Sequence, residues 1–156
     1  MKIWVLRHGQ AEAMASSDEQ RALTEQGREE ALLMAAQLIG EPVDAILASP
    51  YRRAQETAQL VQAQLQIRRG VSTVAWLTPD DDPRQVLNFL AERSETTLLL
   101  VSHQPLVSQL ISLLVEGSRN GHYPMPTAGL ACIELDLPAA GLGHLRVLTS
   151  PAHLRS

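Results

Sequence analysis

The sequence predicts an α/β fold: a three-layer αβα sandwich around a mostly parallel central sheet, with helices on both faces and a C-terminal edge hairpin. Three observations carry that expectation. Apolar runs of strand length alternate with segments whose apolar residues recur at helical spacing, the pattern of strands joined by crossover helices. One run, Thr96 to Val101, is continuously β-branched or leucine, as suits a central strand covered on both faces. Near the end the alternation stops, and residues 129–137 and 144–149 read as two strands joined by a glycine-containing turn.

The elements follow in order. Residues 2–7 form the first buried strand. Leu23-Thr24-Glu25-Gln26-Gly27 opens a helix, with Thr24 as cap and the Glu25 carboxylate near the positive helix end. Ala31, Leu32, Ala35 and Leu38 continue at helical spacing until Gly40 stops the helix. Residues 43–48 are a second strand, broken by Ser49-Pro50. A helix over 51–66 turns Ala54, Thr57, Ala58, Val61 and Leu65 to one face. Residues 71–76 read as a third strand and 77–83 as a loop rich in Pro and Asp. A helix spans 84–93, then comes the central strand. Ser102-His103-Gln104-Pro105 leads into a further helix, with Pro105 suited to its first turn. Its inner face is Leu106, Val107, Leu110, Ile111 and Leu114.

A chain of 156 residues suits one domain with one core, here residues 1–156. Hydrophobic residues make up 45 % and charged residues 19 %, which excludes a disordered composition. Aromatics are only 3 %, so the core must be built from Leu, Val, Ile and Ala. The formal net charge of -4, with no basic stripe interleaved with aromatics, argues against a nucleic-acid partner. A phosphate ligand must then be held by local cations. The single cysteine, Cys132, has no internal disulfide partner and reads as a small buried strand residue. The longest apolar runs are too short to cross a bilayer, and the chain enters a strand at once, leaving no room for a signal peptide. A cytoplasmic protein without a membrane partner is expected; oligomeric state is left open.

Three strands end in polar residues: Arg7-His8-Gly9 after the first, Ser49-Pro50-Tyr51-Arg52-Arg53 after the second and Ser102-His103 after the central one. If the strands are parallel, these ends meet at one sheet edge, where ligands of such folds bind. Imidazole is a nucleophile with a pKa near neutrality, and guanidinium holds phosphate oxygens bidentately. The convergence points to chemistry on a phosphoryl group.

In these motifs the chain resembles the histidine phosphatase superfamily, also called phosphoglycerate mutase-like or RHG. Arg7-His8-Gly9 matches its signature, and Leu23-Thr24-Glu25-Gln26-Gly27-Arg28 its first-helix start. Residues 49–58 match its S-x-x-x-R-A-x-x-T-A pattern, and Val101-Ser102-His103 its second histidine. The pattern selects Arg53, not Arg52, as the phosphate ligand. Within the superfamily the chain is most similar to the short SixA-type phosphohistidine phosphatases, in its size, in Leu77-Thr78-Pro79 and in the Ser-His-x-Pro-Leu-Val segment at 102–107.

The resemblance implies a metal-independent phosphoric hydrolase without a cofactor, in which His8 attacks phosphorus and forms a phosphohistidine intermediate. Catalytic roles fall to His8, Arg7, Arg53 and His103. Arg7, Arg53 and His103, with Gly9 and Gln104, would bind phosphate. The cationic neighbours would keep His8 neutral, and a backbone carbonyl near Gly9 would fix its other nitrogen. His122, His144 and His153 lack metal-site spacing. Phosphomonoesterases of this superfamily usually carry a glutamate in a Leu-x-Glu context after the third strand. Here the stretch is Trp76-Leu77-Thr78-Pro79. An alkoxide leaving group benefits from an acid, whereas a phosphorylated imidazole can take its proton from solvent. The expected substrate is therefore a phosphohistidine protein, such as a histidine phosphotransfer domain of a two-component relay, with inorganic phosphate as product. The alternatives are a small-molecule phosphomonoesterase using Asp80 or Asp81 as acid, or a non-catalytic phosphoprotein-binding module. Asp82 reads as a helix cap ahead of Pro83. Ser49 is expected to cap and Ser102 to support the pocket from behind; Gln10 stays undecided.

Overall fold

The computed structural model describes residues 1–155. The elements are β1 (Lys2–Arg7), α1 (Glu25–Ala36), β2 (Ala45–Ala48), α2 (Arg52–Leu65), β3 (Ser72–Thr73), α3 (Pro83–Ala91), β4 (Thr97–Ser102), α4 (Leu106–Glu116), β5 (Leu130–Glu134), β6 (His144–Thr149) and α5 (Pro151–Arg155). Single 3-10 turns at Asp18–Gln20 and Ala75–Leu77 interrupt the loops. One open sheet has the order β3-β2-β4-β1-β5-β6. β3, β2, β4 and β1 are parallel; β5 runs antiparallel to β1, and β6 to β5. This is the expected architecture, with the C-terminal hairpin at one edge.

Side chains alternate across the central strands with period two. Ile3, Val5, Leu98 and Leu100 join a core with α3 and α4. Trp4, Leu6, Leu99 and Val101 join a second core with α1 and α2. Every residue of β4 is buried, which explains why its sequence shows no polar alternation. Each of its leucines stabilises the fold by about 2 kcal/mol. Cys132 lies opposite Trp4 in the second core, and burial pushes its thiol pKa up to about 11, so it is an inert packing residue.

Register places the functional edge. Arg7 pairs with Ser102 and Ala48 with Val101, so the chain leaves β1, β2 and β4 at one level. His8, Ser49 and His103 therefore emerge side by side.

Several expectations need correction. The third strand is two residues long, not 71–76. Its neighbour β2 ends at Ala48, which accepts the last ladder bond from the Val74 N–H. The chain then turns so that Leu77 enters the core and Trp76 stacks on Phe89, with ring centroids 5.0 Å apart. On α1 the buried stripe is Gly27, Glu30, Ala31, Met34 and Ala35; Leu32 faces outward. That helix ends at Ala36, and Gly40, at a φ of 87°, closes the turn beyond it. Pro105 occupies the cap position before α4 rather than its first turn. α5 was not anticipated.

Thr24 caps α1 as expected, its hydroxyl accepting from the Gly27 N–H. The first turn of α1 is pressed against the segment after β1. A Cβ on Gly27 would lie 2.0 Å from the Gln10 carbonyl oxygen, and one on Gly9 would lie 2.3 Å from the Gly27 oxygen. Close approach at Gly9 is thus real, and its partner is the Gly27 backbone. Alanine in place of a helical glycine ordinarily stabilises by up to about 1 kcal/mol. At Gly27 the clash with immobile backbone outweighs that gain. Gly27→Ala is expected to destabilise by at least about 2 kcal/mol, seen as a lower urea midpoint with an unchanged slope.

Among the described residues, no helix is long and apolar enough to cross a membrane.

Candidate active site

His8 follows the last residue of β1 and is 6 % exposed. Its Nδ1 lies 2.7 Å from the Gly9 carbonyl oxygen, and its Nε2 faces the Arg53 Nε–H at 3.3 Å. A guanidinium can only donate, so Nε2 must carry the lone pair and Nδ1 the hydrogen. This is the tautomer that a nucleophilic Nε2 requires. The Gly9 N–H donates to Thr57 Oγ1, whose hydroxyl donates to the Arg53 carbonyl; the threonine of the 49–58 motif ties the two segments together.

Burial lowers the His8 pKa to about 4; the hydrogen bond to Gly9 opposes this, and the charges of Arg53, Arg7 and Arg21 add to it. The imidazole is neutral at pH 7. In the unfolded chain it titrates near 6.5. Between the two values the unfolded state binds a proton that the folded state refuses, so stability is complete above about 6.5 and is lost as pH falls toward 4. His8 alone is expected to cost about 2 kcal/mol at pH 5 relative to pH 7.5. Urea midpoints at the two pH values check this, and a His8→Asn variant should show a shallower dependence.

Arg53, in the first turn of α2, is 4 % exposed. Its Nη1 donates to the Asp18 carbonyl at 2.7 Å and its Nη2 to Asp18 Oδ2 at 3.2 Å. The guanidinium also lies 5.0 Å above the Tyr51 ring. Arg52 points away and pairs with Glu56 at the surface. Arg7 donates from Nη1 to the Met125 carbonyl, and its Nε is buried without a partner among the described residues. Burial, and then Arg53, lower the Arg7 pKa, while Glu30 opposes them. Glu30 is a buried carboxylate on α1 that accepts from the Gln10 N–H and from the Thr127 hydroxyl, joining α1 to the loops on either side of Arg7.

His103 is 1 % exposed, with its ring 5.1 Å from that of His8 and 4.9 Å from Tyr51. Its Nε2 lies 2.7 Å from Ser49 Oγ; its Nδ1 is buried without a partner among the described residues. Burial, then His8 and Arg53, push its pKa down to about 2, so it too is neutral. Ser49 combines two roles: its Oγ accepts from the Tyr51 N–H at the start of α2 and contacts His103. Ser102 supports the site from behind, donating to the Leu77 carbonyl. The Gln10 side chain accepts from the Thr24 hydroxyl and belongs to the cap of α1.

Gln104, next to His103 in sequence, reaches toward the loop that carries Met125. Its amide nitrogen donates to Ser108 Oγ and to the Met125 carbonyl, and its oxygen accepts from the Ser108 N–H. In the free protein these contacts let the side chain steady the carbonyl that Arg7 uses. The aspartates after β3 are also occupied. Asp81 accepts from the Thr78 N–H and hydroxyl, and Asp82 caps α3 through the Arg84 N–H and pairs with Arg119. Asp80 is exposed.

The structure brings Arg7, His8, Arg53 and His103 together beside Gly9. It adds Asp18, Tyr51 and Glu30, which the sequence reading had not singled out. Glu30 had left a signal, as a carboxylate on the apolar stripe of α1. Asp18, in an irregular loop, had left none.

Comparison with known proteins places the chain in a family. Residues 3–74 match the model of the histidine phosphatase superfamily, branch 1. The chain is 32 % identical over 160 residues to phosphohistidine phosphatase SixA of Escherichia coli K12, covering 99 % of this chain and 97 % of that protein. It is 35 % identical over 144 residues to the SixA homolog of Haemophilus influenzae, covering 83 % and 87 %. A solved structure of protein histidine phosphatase SixA complexed with tungstate superposes with a TM-score of 0.88 at 32 % identity, covering 99 % of both chains.

Proposed function

The chain belongs to the histidine phosphatase superfamily and is a phosphatase; we propose that it removes the phosphoryl group from phosphohistidine on a protein, such as a histidine phosphotransfer domain, and that residues 1–156 act as one domain. The observation that carries this reading is the pairing of a tautomer-locked His8 with a β3 exit that offers no acid. Pro79 stands where the Leu-x-Glu pattern of an ester phosphatase would present a carboxylate, and Asp81 is turned back onto Thr78.

The reaction proceeds in two displacements, each with a lower barrier than a single direct attack by water. In the first, the Nε2 lone pair of His8 forms a bond to phosphorus. The bond from phosphorus to the substrate nitrogen breaks, and its electron pair stays on the departing imidazole. The proton on His8 Nδ1 remains there, and the Gly9 carbonyl stabilises the positive charge that the ring acquires. In the second, water attacks phosphorus, His8 leaves with its Nδ1–H intact, and phosphate is released with a proton to solvent. Arg53 Nε, which faces Nε2 in the free protein, turns to a phosphoryl oxygen. Arg7 supplies a second cation. Ser49 accepts from the backbone and so can give its hydroxyl proton to His103 Nε2. The His103 hydrogen is then on Nδ1, where it serves as a neutral donor to the phosphoryl group. Thirteen arginines and lysines against seventeen acidic residues give no overall attraction for anions, so binding rests on these local groups.

The deciding assay compares phosphate release from a histidine-phosphorylated protein with release from phosphoserine and sugar phosphates. Faster turnover of the phosphohistidine protein is expected. Preference for the esters, with dependence on Asp80 or Asp81, would overturn the reading.

A further inference from the structure

The geometry points to Asp18 as the residue that recognises the leaving imidazole of the substrate, accepting a hydrogen bond from its remote N–H. This deepens the phosphohistidine reading and rests on it. Asp18 sits on the 3-10 turn between β1 and α1, where its carboxylate meets the outer side of Arg53. One guanidinium separates it from His8 Nε2, because Arg53 contacts both. It is the carboxylate that the fold brings onto the Arg53 cation, whereas Asp81 and Asp82 are spent on their own turn and cap.

The carboxylate has capacity to spare. Oδ1 accepts from Arg21 and Oδ2 from Arg53, one bond each. A carboxylate offers about four acceptor positions, so two stay open. The side chain is about half exposed, so a partner from solution can reach them. Beside it opens a cavity of ≈ 260 Å³, bounded by Ala13, Met14, Ala15, Ser17, Asp18 and Arg21. Three apolar side chains next to an anionic acceptor suit a flat ring that carries one N–H.

The chemistry gives this contact a purpose. The departing nitrogen leaves as neutral imidazole only if its remote nitrogen already holds a proton, taken from solvent before attack. An acceptor at that N–H stabilises the protonated form. Donor and acceptor histidines are then held alike: His8 Nδ1–H on the Gly9 carbonyl, the substrate's N–H on Asp18. Arginine and Asp18 are mutually neutralising, so the carboxylate also weakens the hold of the pocket on free phosphate.

Asp18→Asn, with Asp18→Ala as a second variant, tests this against a histidine-phosphorylated protein, with inorganic phosphate as competitive inhibitor. Loss of one charge-assisted hydrogen bond should lower kcat/KM on order of 10- to 100-fold. The loss should lie in formation of the phosphoenzyme, measured by acid quench, rather than in its hydrolysis. Inhibition by phosphate should stay as strong or become stronger. Unchanged kcat/KM overturns the proposal. So does a parallel weakening of phosphate inhibition, which would mean that Asp18 acts only by holding Arg53. A wild-type protein inert toward phosphohistidine overturns the underlying reading itself, and this inference with it.

Discussion

Replacing His8 by alanine is expected to abolish turnover, lowering kcat by at least about 10⁴-fold, and to remove the acid-labile phosphoryl label from the protein. The expectation follows from how few substitutes the site contains. His103 is the neighbouring imidazole, but its Nε2 is engaged with Ser49 and its ring centroid lies 5.1 Å from that of His8. Cys132 is on β5, in the core beneath, with its thiol pKa raised. Water could still attack phosphorus directly between Arg7, Arg53 and His103, so a small residual rate above the uncatalysed one is expected. The fold should survive, because the substitution deletes two hydrogen bonds and leaves the sheet register intact. The measurement is phosphate release together with acid-quenched labelling of the protein. A label retained by His8→Ala would place the nucleophile elsewhere.

The quartet proposed for catalysis is legible in the sequence because parallel strands in near-equal register deliver their C-terminal residues to one edge. Arg7, His8 and His103 needed only the recognition of two strands, and Arg53 needed the first turn of the helix after β2. The central strand could be read because six consecutive buried residues leave no polar alternation to confuse it. Other features depended on tertiary partners. β3 is shorter than its sequence suggests: Val74 and Trp76 have strand-like side chains, while the length of β2 decides how many residues find a ladder partner. Leu32 faces outward despite its helical spacing because Met34 and the glycine at 27 take the inner stripe of α1. Gln104 looked like a pocket residue from its place beside His103, yet Ser108 and Met125 claim its amide. Asp18 was invisible for a different reason. It meets Arg53 across 35 positions of sequence from an irregular loop, where no periodicity marks a residue as facing inward.

Arg53→Ala is expected to lower kcat/KM by about 10³-fold or more, whereas Arg52→Ala changes it by less than about twofold. The adjacent arginines differ in what surrounds them. Arg52 is exposed and pairs with Glu56 four residues on, a contact of little energetic weight in water. Arg53 is buried, with its Nε on the nucleophile, its Nη groups on Asp18 and its face over Tyr51. Its removal deletes a donor that a phosphoryl oxygen would take, and it leaves the Asp18 carboxylate with Arg21 as its remaining partner, less neutralised toward the incoming phosphate. Arg53→Lys should recover part of the loss, since it restores charge without the planar fork. A second readout separates this role from mere packing. Arg53 disfavours the imidazolium of His8, so its loss should raise the His8 pKa from about 4, yet leave it below 6.5, because burial is the larger cause. A ring-carbon NMR titration of His8 in Arg53→Ala measures that rise. A large kinetic loss with no rise in the His8 pKa would mean that Arg53 acts on the substrate without its charge reaching the nucleophile. A larger loss at Arg52 than at Arg53 would exchange the phosphate ligand assigned to α2.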